Sequence, residues 1–438
     1  MSGEKGSPVN ILVLGNGGRE HAITWALAKS SRCGRLFVAP GNGGTAGIAE
    51  NILALDITDG EAVLGFARDK GIDLVVIGPE APLVAGVADV LREAGVPCFG
   101  PDAQGAQLEG SKTFSKQFMD ANNIPTARYQ SFTDIEPALA FAKKLGAPLV
   151  VKADGLAAGK GVVVAETEEA AENAIKSCFD GAFGEAGKTV LVEEFLTGPE
   201  CSLLAFVTKG AAFFMQPAQD HKRAFDGDRG PNTGGMGVYS PVPIIEEGEL
   251  AAMRAIMEKA AVATAGEAFD HDYRGVLYGG FMLTPQGPSV LEFNARFGDP
   301  ETQVILALLE SDLIDVVEAV ACGRPEDIEL SWSEEWAVCV VLASEGYPGA
   351  YEKGKVLLGI DEAESLPGVT VFHAGTSLNS DGELVTTGGR VLNVVALGNS
   401  FDQARERAYE ACNCINFEGK QYRSDIGQRA AAGRAAWE

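Results

Sequence analysis

Three apolar runs near the start of the chain each break off into a glycine-bearing loop, and this repetition narrows the choice of fold more than any other feature. Residues 10–14 lead into Gly15-Asn16-Gly17-Gly18-Arg19-Glu20-His21, residues 36–39 into Pro40-Gly41-Asn42-Gly43-Gly44, and residues 74–77 into Gly78-Pro79-Glu80. Short runs of branched residues bounded by glycine and proline read as buried strands. Helical patterns over 22–29 and 84–94 alternate with them, and 96–99 reads as a fourth strand. Strands alternating with helices form a parallel sheet whose loops gather at one edge. The expectation is a Rossmann-like α/β domain over residues 1–109. Its three glycine loops would surround a small phosphorylated molecule, with the helix N-terminus and Arg19 offering an anion site. The dinucleotide fingerprint is absent, because its sixth position is Glu20 rather than glycine or alanine. A tight turn with no ligand is the plainer alternative.

The next stretch sets lysines at strand ends. A helix over 110–122 opens with Gly110-Ser111-Lys112. Two β-patterned runs, 148–152 and 161–165, flank Ala153-Asp154-Gly155-Leu156-Ala157-Ala158-Gly159-Lys160. This is no P-loop: it is one residue short, Gly161 stands where serine or threonine would hold Mg²⁺, and a strand follows. A glycine hairpin folded over phosphates accounts better for Gly155, Gly159, Lys160 and Gly161, with Lys152 directed to the same place. A strand over 189–192 runs into Glu193-Glu194-Phe195-Leu196, expected to be irregular. Its free backbone would suit a purine edge, with Phe195 and Leu196 flanking the base and Glu200 accepting from ribose hydroxyls. Residues 220–237 have neither helical nor strand period, and loops this long are functional or disordered. Asp220, Lys222, Asn232, Thr233, Gly234 and Gly235 mark an ordered substrate loop that Asp299 and Glu301 would meet.

The densest chemistry lies in residues 289–302. A strand over 290–296 puts Glu292, Asn294 and Arg296 on one face. Leu291, Phe293 and Ala295 fall on the other, as plain core. Glu and Asn oxygens suit Mg²⁺, which takes one or two protein ligands beside phosphate oxygens and water. Arg296 can fork onto a phosphoryl oxygen. A half-exposed strand with a polar outer face is the competing reading. Helices over 247–268 and 302–321 and a strand over 275–283 frame this segment.

From Trp336 onward, short strands (337–343, 369–375, 384–387, 390–396) and a helix over 401–412 suggest a third, small α+β domain whose glycine turns are structural. The chain carries 35 basic and 61 acidic residues, a formal net charge of −26. That field disfavours nucleic acid and anionic membranes as partners, so an anionic substrate needs a local basic pocket. The eight cysteines lack zinc-site spacing and the four histidines stand far apart. With no apolar signal region and no bilayer-spanning run, a cytoplasmic protein with reduced thiols is expected.

Taken together, LVVKADGLAAGKGVVV (149–164), LVEEFLTGPE (191–200), DHKR (220–223), GPNTGGMGVYSP (230–241) and LEFNARFGDPETQ (291–303) resemble the phosphoribosylamine–glycine ligase family of ATP-grasp enzymes. GNGGREHA (15–22), PGNGGTA (40–46), GYPG (346–349) and FHAGT (372–376) match as well. The resemblance covers nearly the whole chain. It implies an N-terminal Rossmann-like domain (1–109), an ATP-grasp domain (110–330, lid about 128–197) and a C-terminal domain (331–438). It further implies ligation of glycine to 5-phosphoribosylamine through glycyl phosphate, with ATP and Mg²⁺ or Mn²⁺, by a monomer or homodimer acting on small molecules. Glu292 and Asn294 would be metal ligands, Lys112 and Lys152 would reach ATP phosphates, and residues 155–161 would form the lid hairpin. Glu193 to Leu196 would be the adenine hinge, Glu200 the ribose contact, and Arg296 would lie by the γ-phosphate. Asp220 or Asp299 would hold the glycine ammonium, and Arg19 with the N-terminal loops the sugar phosphate.

Three other readings compete. A sister ATP-grasp enzyme, such as a carboxyaminoimidazole ribonucleotide synthase or a biotin carboxylase, is argued against by the N-terminal loops and DHKR. A nicotinamide-dependent dehydrogenase rests only on the first turn, and an inert nucleotide-binding regulator leaves the basic and metal-ligand residues without a purpose.

Overall fold

A computed structural model describes residues 7–155, 161–266, 269 and 272–432. Five parallel strands form the first sheet, in the order Glu50–Asn51, Cys33–Pro40, Val9–Gly15, Leu74–Ile77 and Cys98–Phe99. Along Val9–Gly15, Ile11 and Val13 enter one apolar cluster and Leu12 and Leu14 another. Both faces of the sheet are therefore covered, as a parallel sheet requires. Strand order reverses beside Val9–Gly15, which makes its C-terminal end a crevice. The three glycine loops meet there as expected: the Gly41 N–H donates to Gly15 O at 3.1 Å and the Gly78 N–H to Leu14 O at 3.0 Å.

Some elements differ from expectation. The strand Glu50–Asn51 and the helix Gly60–Lys70 fill a span in which the sequence reading placed nothing. Asp59 caps that helix by accepting from the Glu61 and Ala62 N–H groups, a standard start signal. The helix expected over 84–94 is two, Glu80–Val84 and Val87–Glu93, parted at Gly86 with φ 79°. The helix expected over 302–321 is also two, Glu301–Leu308 and Leu313–Ala321. Asp312 accepts from the Ile314 N–H at 2.9 Å and starts the second.

Two antiparallel four-stranded sheets follow. One has the order Tyr129–Phe132, Val190–Glu194, Leu149–Ala153, Val162–Ala165; the other Ala211–Phe214, Glu200–Thr208, Arg274–Thr284, Gly287–Asn294. The last sheet has six strands: Gln219–Asp220, Gly237–Ser240, Trp336–Ser344, Arg390–Gly398 and Val369–His373 in order, with Lys420–Gln421 paired to Trp336–Ser344. Residues 220–237 are thus not a structureless loop. They begin and end in this sheet and contain a hairpin, Arg223–Phe225 against Arg229–Asn232. Their strands are too short, and too rich in glycine and charge, to show a period of two.

Where the first and last sheets meet, His21 Nδ1 accepts from the His373 N–H at 2.8 Å, and the Asn42 amide donates to His373 O at 2.8 Å. Burial lowers the His21 pKa to about 3, helped by His373, and that of His373 to about 4, so both rings are neutral.

Candidate active site

A cavity of about 520 Å³ opens between these sheets. Its wall includes seven basic side chains (Arg19, Lys112, Lys116, Lys152, Lys222, Arg296, Arg390) and seven acidic ones (Glu80, Glu109, Glu193, Asp220, Glu292, Asp299, Glu301). A one-to-one balance in a chain with 35 basic and 61 acidic residues is the local concentration of positive charge that an anionic substrate needs.

Glu292, Asn294 and Arg296 all face this cavity; alternation accounts for the first two, while the strand expected over 290–296 ends at Asn294 and Arg296 lies in the bend after it. The other face departs from expectation. Gly280 pairs with Glu292 but Phe281 pairs with Val290, so Leu291 is an unpaired bulge. The extra residue resets the alternation. Val290 and Phe293 enter the core, Phe293 also touching the cavity wall, while Leu291 lines the cavity without joining that cluster. Burial pulls the Glu292 pKa upward, but Lys222, Lys152 and Lys112, with a hydrogen bond from Asn294, outweigh it and hold the carboxyl below its ordinary range. An ionised carboxylate beside an amide oxygen fits a divalent metal completed by phosphate and water. Among the described residues, no group of three or more His, Cys, Asp or Glu is poised as a metal cage.

Arg296 Nη2 lies 2.8 Å from Glu109 Oε1, and its Nε lies 3.6 Å from Glu80 Oε2, too far for a hydrogen bond. Burial lowers the Arg296 pKa, but Glu109 and Glu80 more than reverse this. Lys112 donates to Gly155 O at 2.8 Å. Gly155 and Gly161 line the cavity; Gly159 and Lys160 lie outside the described residues. Lys152 Nζ sits 3.0 Å from Glu193 Oε2, and Lys116 Nζ reaches the same oxygen at 3.1 Å. All three side chains are at least 90 % buried.

The irregular segment expected from Glu193 begins two residues later. Glu193 and Glu194 remain in the strand, paired with Tyr129 and Val150 and with Leu149 respectively. Glu193 spends its carboxylate on the two lysines, and Glu194 on Arg128 at 2.7 Å near the surface. Phe195 and Leu196 lie beyond the ladder, with Phe195 exposed. Glu200 meets Lys222 at 3.1 Å, and this pairing raises the lysine's pKa against the pull of burial.

The N-terminal loops also differ from expectation. Arg19 and Glu80 reach the cavity wall, whereas Gly15, Asn16, Gly17, Gly18, Glu20, Gly41, Asn42, Gly43, Gly78 and Pro79 do not. Glu20 is buried within the first loop and accepts from the Gly17 N–H at 2.6 Å. Gly15 has φ +127°, and a Cβ there would come within 2.4 Å of Glu20, so glycine makes room for the carboxylate. Arg19 is paired with Glu20 and donates to Phe297 O at 3.0 Å, and its N–H points to Asp299 Oδ2 at 3.4 Å. The chain's own carboxylates therefore occupy the expected anion site at the helix start. The second loop serves as a joint: Asn42 holds Asn16 O, Gly17 O and His373 O, and the Gly43 N–H donates to Thr376 O.

Asp220, Lys222, Asn232, Thr233, Gly234 and Asp299 line the cavity. Gly235, at φ +112°, packs on the Pro300 ring instead. Asp299 is engaged by Arg390 at 3.4 Å and Gln303 at 2.8 Å. Burial works against its ionisation, but Arg390 and Arg19 prevail and keep its pKa low. Asp220 makes no ion pair within 4.0 Å among the described residues. Burial raises its pKa to about 7, Lys222 opposing and Glu301, Glu200 and Glu292 adding to it.

Sequence reasoning missed several wall residues. Lys116 follows Lys112 by one helical turn, a visible signal. Glu109 precedes the same helix and accepts from the Ala295 N–H at 2.8 Å. Tyr278 donates to Glu301 at 3.0 Å. Arg390 and Tyr347 come from the last sheet's region, whose turns were expected to be structural only. Arg390 donates to Gly234 O at 2.6 Å and Asp299 O at 2.8 Å, and Tyr347 OH accepts from the Gly234 N–H at 3.1 Å. Nothing in the sequence tied residues so distant to this cavity.

Comparison with known proteins covers the whole architecture. Family models described as phosphoribosylglycinamide synthetase match residues 9–109 (N domain), 110–302 (ATP-grasp domain) and 337–429 (C domain). The chain is 49% identical over 430 residues to a phosphoribosylamine–glycine ligase of Vibrio parahaemolyticus, covering 97% of this chain and 99% of that protein. It is similar to the solved phosphoribosylamine–glycine ligase of Thermotoga maritima, with 37% identity, a TM-score of 0.81, and 95% and 100% of the two chains covered. The biotin carboxylase domain of the Hydrogenobacter thermophilus 2-oxoglutarate carboxylase, solved with MgADP, shares the fold at 17% identity and a TM-score of 0.72, over 95% and 92% of the chains. Among the described residues, no helix is long and apolar enough to cross a membrane.

Proposed function

The chain belongs to the phosphoribosylglycinamide synthetase family and joins glycine to phosphoribosylamine with ATP, and we propose that it does so through glycyl phosphate formed in the cavity bounded by Lys152, Glu292 and Arg296. A sister enzyme, the N5-carboxyaminoimidazole ribonucleotide synthetase of Thermotoga maritima, shares the fold at only 20% identity. A carboxylate cannot acylate an amine directly, because oxide is a poor leaving group. Transfer of the γ-phosphoryl group of ATP to a glycine carboxylate oxygen breaks the bond to ADP and makes a mixed anhydride. The sugar amine then attacks the carbonyl carbon, and phosphate departs. Catalysis of this kind rests on positioning and charge.

Lys112 and Lys152 would contact the ATP phosphates, with Lys152 held in place by Glu193, which Lys116 also grips. Glu292 and Asn294 would hold Mg²⁺ or Mn²⁺, which when bound neutralises phosphate charge. Arg296, oriented by Glu109, would lie against the transferring group. Asp220 is a better seat for the glycine ammonium than Asp299, because Asp299 is already paired with Arg390. Phosphoribosylamine would lie between Arg19 and Glu80 on one rim and Arg390 and Tyr347 on the other. The observation that carries this reading is the row Glu292, Asn294, Arg296 facing the same space as Lys112 and Lys152. The test is ADP release with glycine and freshly made phosphoribosylamine, each omitted in turn. Full turnover without glycine or without the amine overturns the assignment.

A further inference from the structure

We propose that Arg423 is a positioning residue for glycine, acting through the hairpin that directly follows Asp220. The idea rests on the reading of residues 220–234 given above. That segment meets the cavity at both ends: Asp220 and Lys222 at one, Asn232 to Gly234 at the other. Its middle never reaches the cavity, and the tail of the chain grips it there.

Arg423 is 2 % exposed. Its guanidinium forks onto Asp425 at 2.7 and 2.8 Å. It also donates to Asp228 Oδ1 at 2.8 Å and to Arg223 O at 3.1 Å, both on the hairpin. Three neighbouring ties run the same way. Asp425 accepts from the Gly227 N–H at 2.8 Å, the Ser424 N–H donates to Asp226 at 2.9 Å, and the Gly427 N–H donates to His221 Nε2 at 3.0 Å. His221 immediately follows Asp220. The tail is itself anchored to the helix Phe401–Cys414: Tyr409 donates to Arg423 O at 2.8 Å, and Arg405 to Ile426 O at 2.9 Å. A rigid path therefore runs from that helix through Arg423 to the substrate loop. Arginine suits the role, because its planar fork holds a carboxylate at two points and still has donors for the hairpin. Asp220 is read above as the contact of the glycine ammonium, so a remote clamp that fixes its segment can govern glycine affinity.

The experiment is steady-state kinetics of the full chain with glycine and ATP varied separately. Arg423→Met should raise the glycine KM by about tenfold or more and the ATP KM by less than about twofold. Asp228→Asn keeps the Arg423–Asp425 pair and weakens the two ties of Asp228 to Arg423 and Arg429, so it should move the glycine KM in the same direction by a smaller factor. It decides the matter if Arg423→Met does not fold. Combined with Asp220→Asn, Arg423→Met should add little to the glycine KM, because both act at one contact. A purely structural role would lower the active fraction and leave both KM values alone. The proposal fails if the tail variants leave the glycine KM unchanged, if both KM values rise together, or if the double variant is fully additive. If Asp220→Asn alone raises the glycine KM and the tail variants do not, only the clamp is overturned. If none of the three moves it, the loop assignment falls as well.

Discussion

Glu193→Gln should destabilise the protein by an amount that depends on pH. The Glu193 carboxylate oxygen lies 3.0 Å from Lys152 Nζ and 3.1 Å from Lys116 Nζ, with every partner nearly buried. At an effective dielectric of about 20, each contact is worth about 5 kcal/mol of gross attraction. Most of that offsets desolvation, and removing one member of a buried pair costs about 3–5 kcal/mol net. Lys116 offers a relief route. Burial lowers its pKa to about 8, even with Glu193 opposing. At pH 7, shedding that proton costs only about 1.4 kcal/mol, so the variant takes this route and the net loss settles near about 3 kcal/mol. For a folding unit of about 150–250 residues that is a Tm drop of about 6–12 °C. The folded pKa of Lys116 lies below its unfolded value, so the parent gains stability as pH rises from about 8 toward about 10.4. By pH 9 parent and variant both hold Lys116 neutral, and the deficit shrinks by about 1.4 kcal/mol. Thermal melts at pH 7 and pH 9, followed by circular dichroism, measure both quantities. A loss below about 2 °C at pH 7, or an equal loss at both pH values, refutes the reasoning.

Other consequences are open to direct measurement. Glu292→Gln should lower kcat by at least about a hundredfold through lost electrostatic stabilisation; near-normal turnover at saturating Mg²⁺ would remove this strand from the chemistry. Arg390→Ala should raise the KM for phosphoribosylamine about tenfold or more with little effect on that for ATP, and equal effects would detach the last sheet from substrate binding. The folded pKa of His21, about 3, lies below its unfolded value of about 6.5, so its share of stability is full above that pH and drains away as pH falls. At pH 5 the loss is about 2 kcal/mol. His21→Gln should flatten the fall in Tm between pH 7 and pH 5, and an unchanged slope would show that the ring titrates elsewhere.

The sequence carried Glu292 and Asn294 as one face because a two-residue period needs no tertiary information, whereas Arg296 reaches the same space from the bend beyond the strand. It could not carry the bulge at Leu291, which depends on how Gly280 and Phe281 meet the partner strand. The buried strand at 74–77 and the helix that starts at Phe401 were legible from local pattern. The halves of the 302–321 helix were not separated, although Glu310-Ser311-Asp312 interrupts the apolar run and Asp312 is a visible capping signal. Arg19 looked like an anion ligand because it follows a glycine turn, and only coordinates reveal that Glu20 and Phe297 already hold it. Arg390 and Arg423 act on residues more than 100 positions away, a distance at which no periodicity speaks.

The six-stranded sheet that draws Gln219–Asp220 and Gly237–Ser240 against Trp336–Ser344 makes severing the chain near residue 330 costly to both fragments. The C-terminal piece would bare the long hydrogen-bonding edge of Trp336–Ser344, an invitation to self-association. The N-terminal piece would lose the template that orders residues 219–240. Supplied together, the halves have a natural way to reunite, by one inserting its strands beside the other. Substrate loop and final sheet are a single folding decision, whatever boundary a linear map of the chain draws between them.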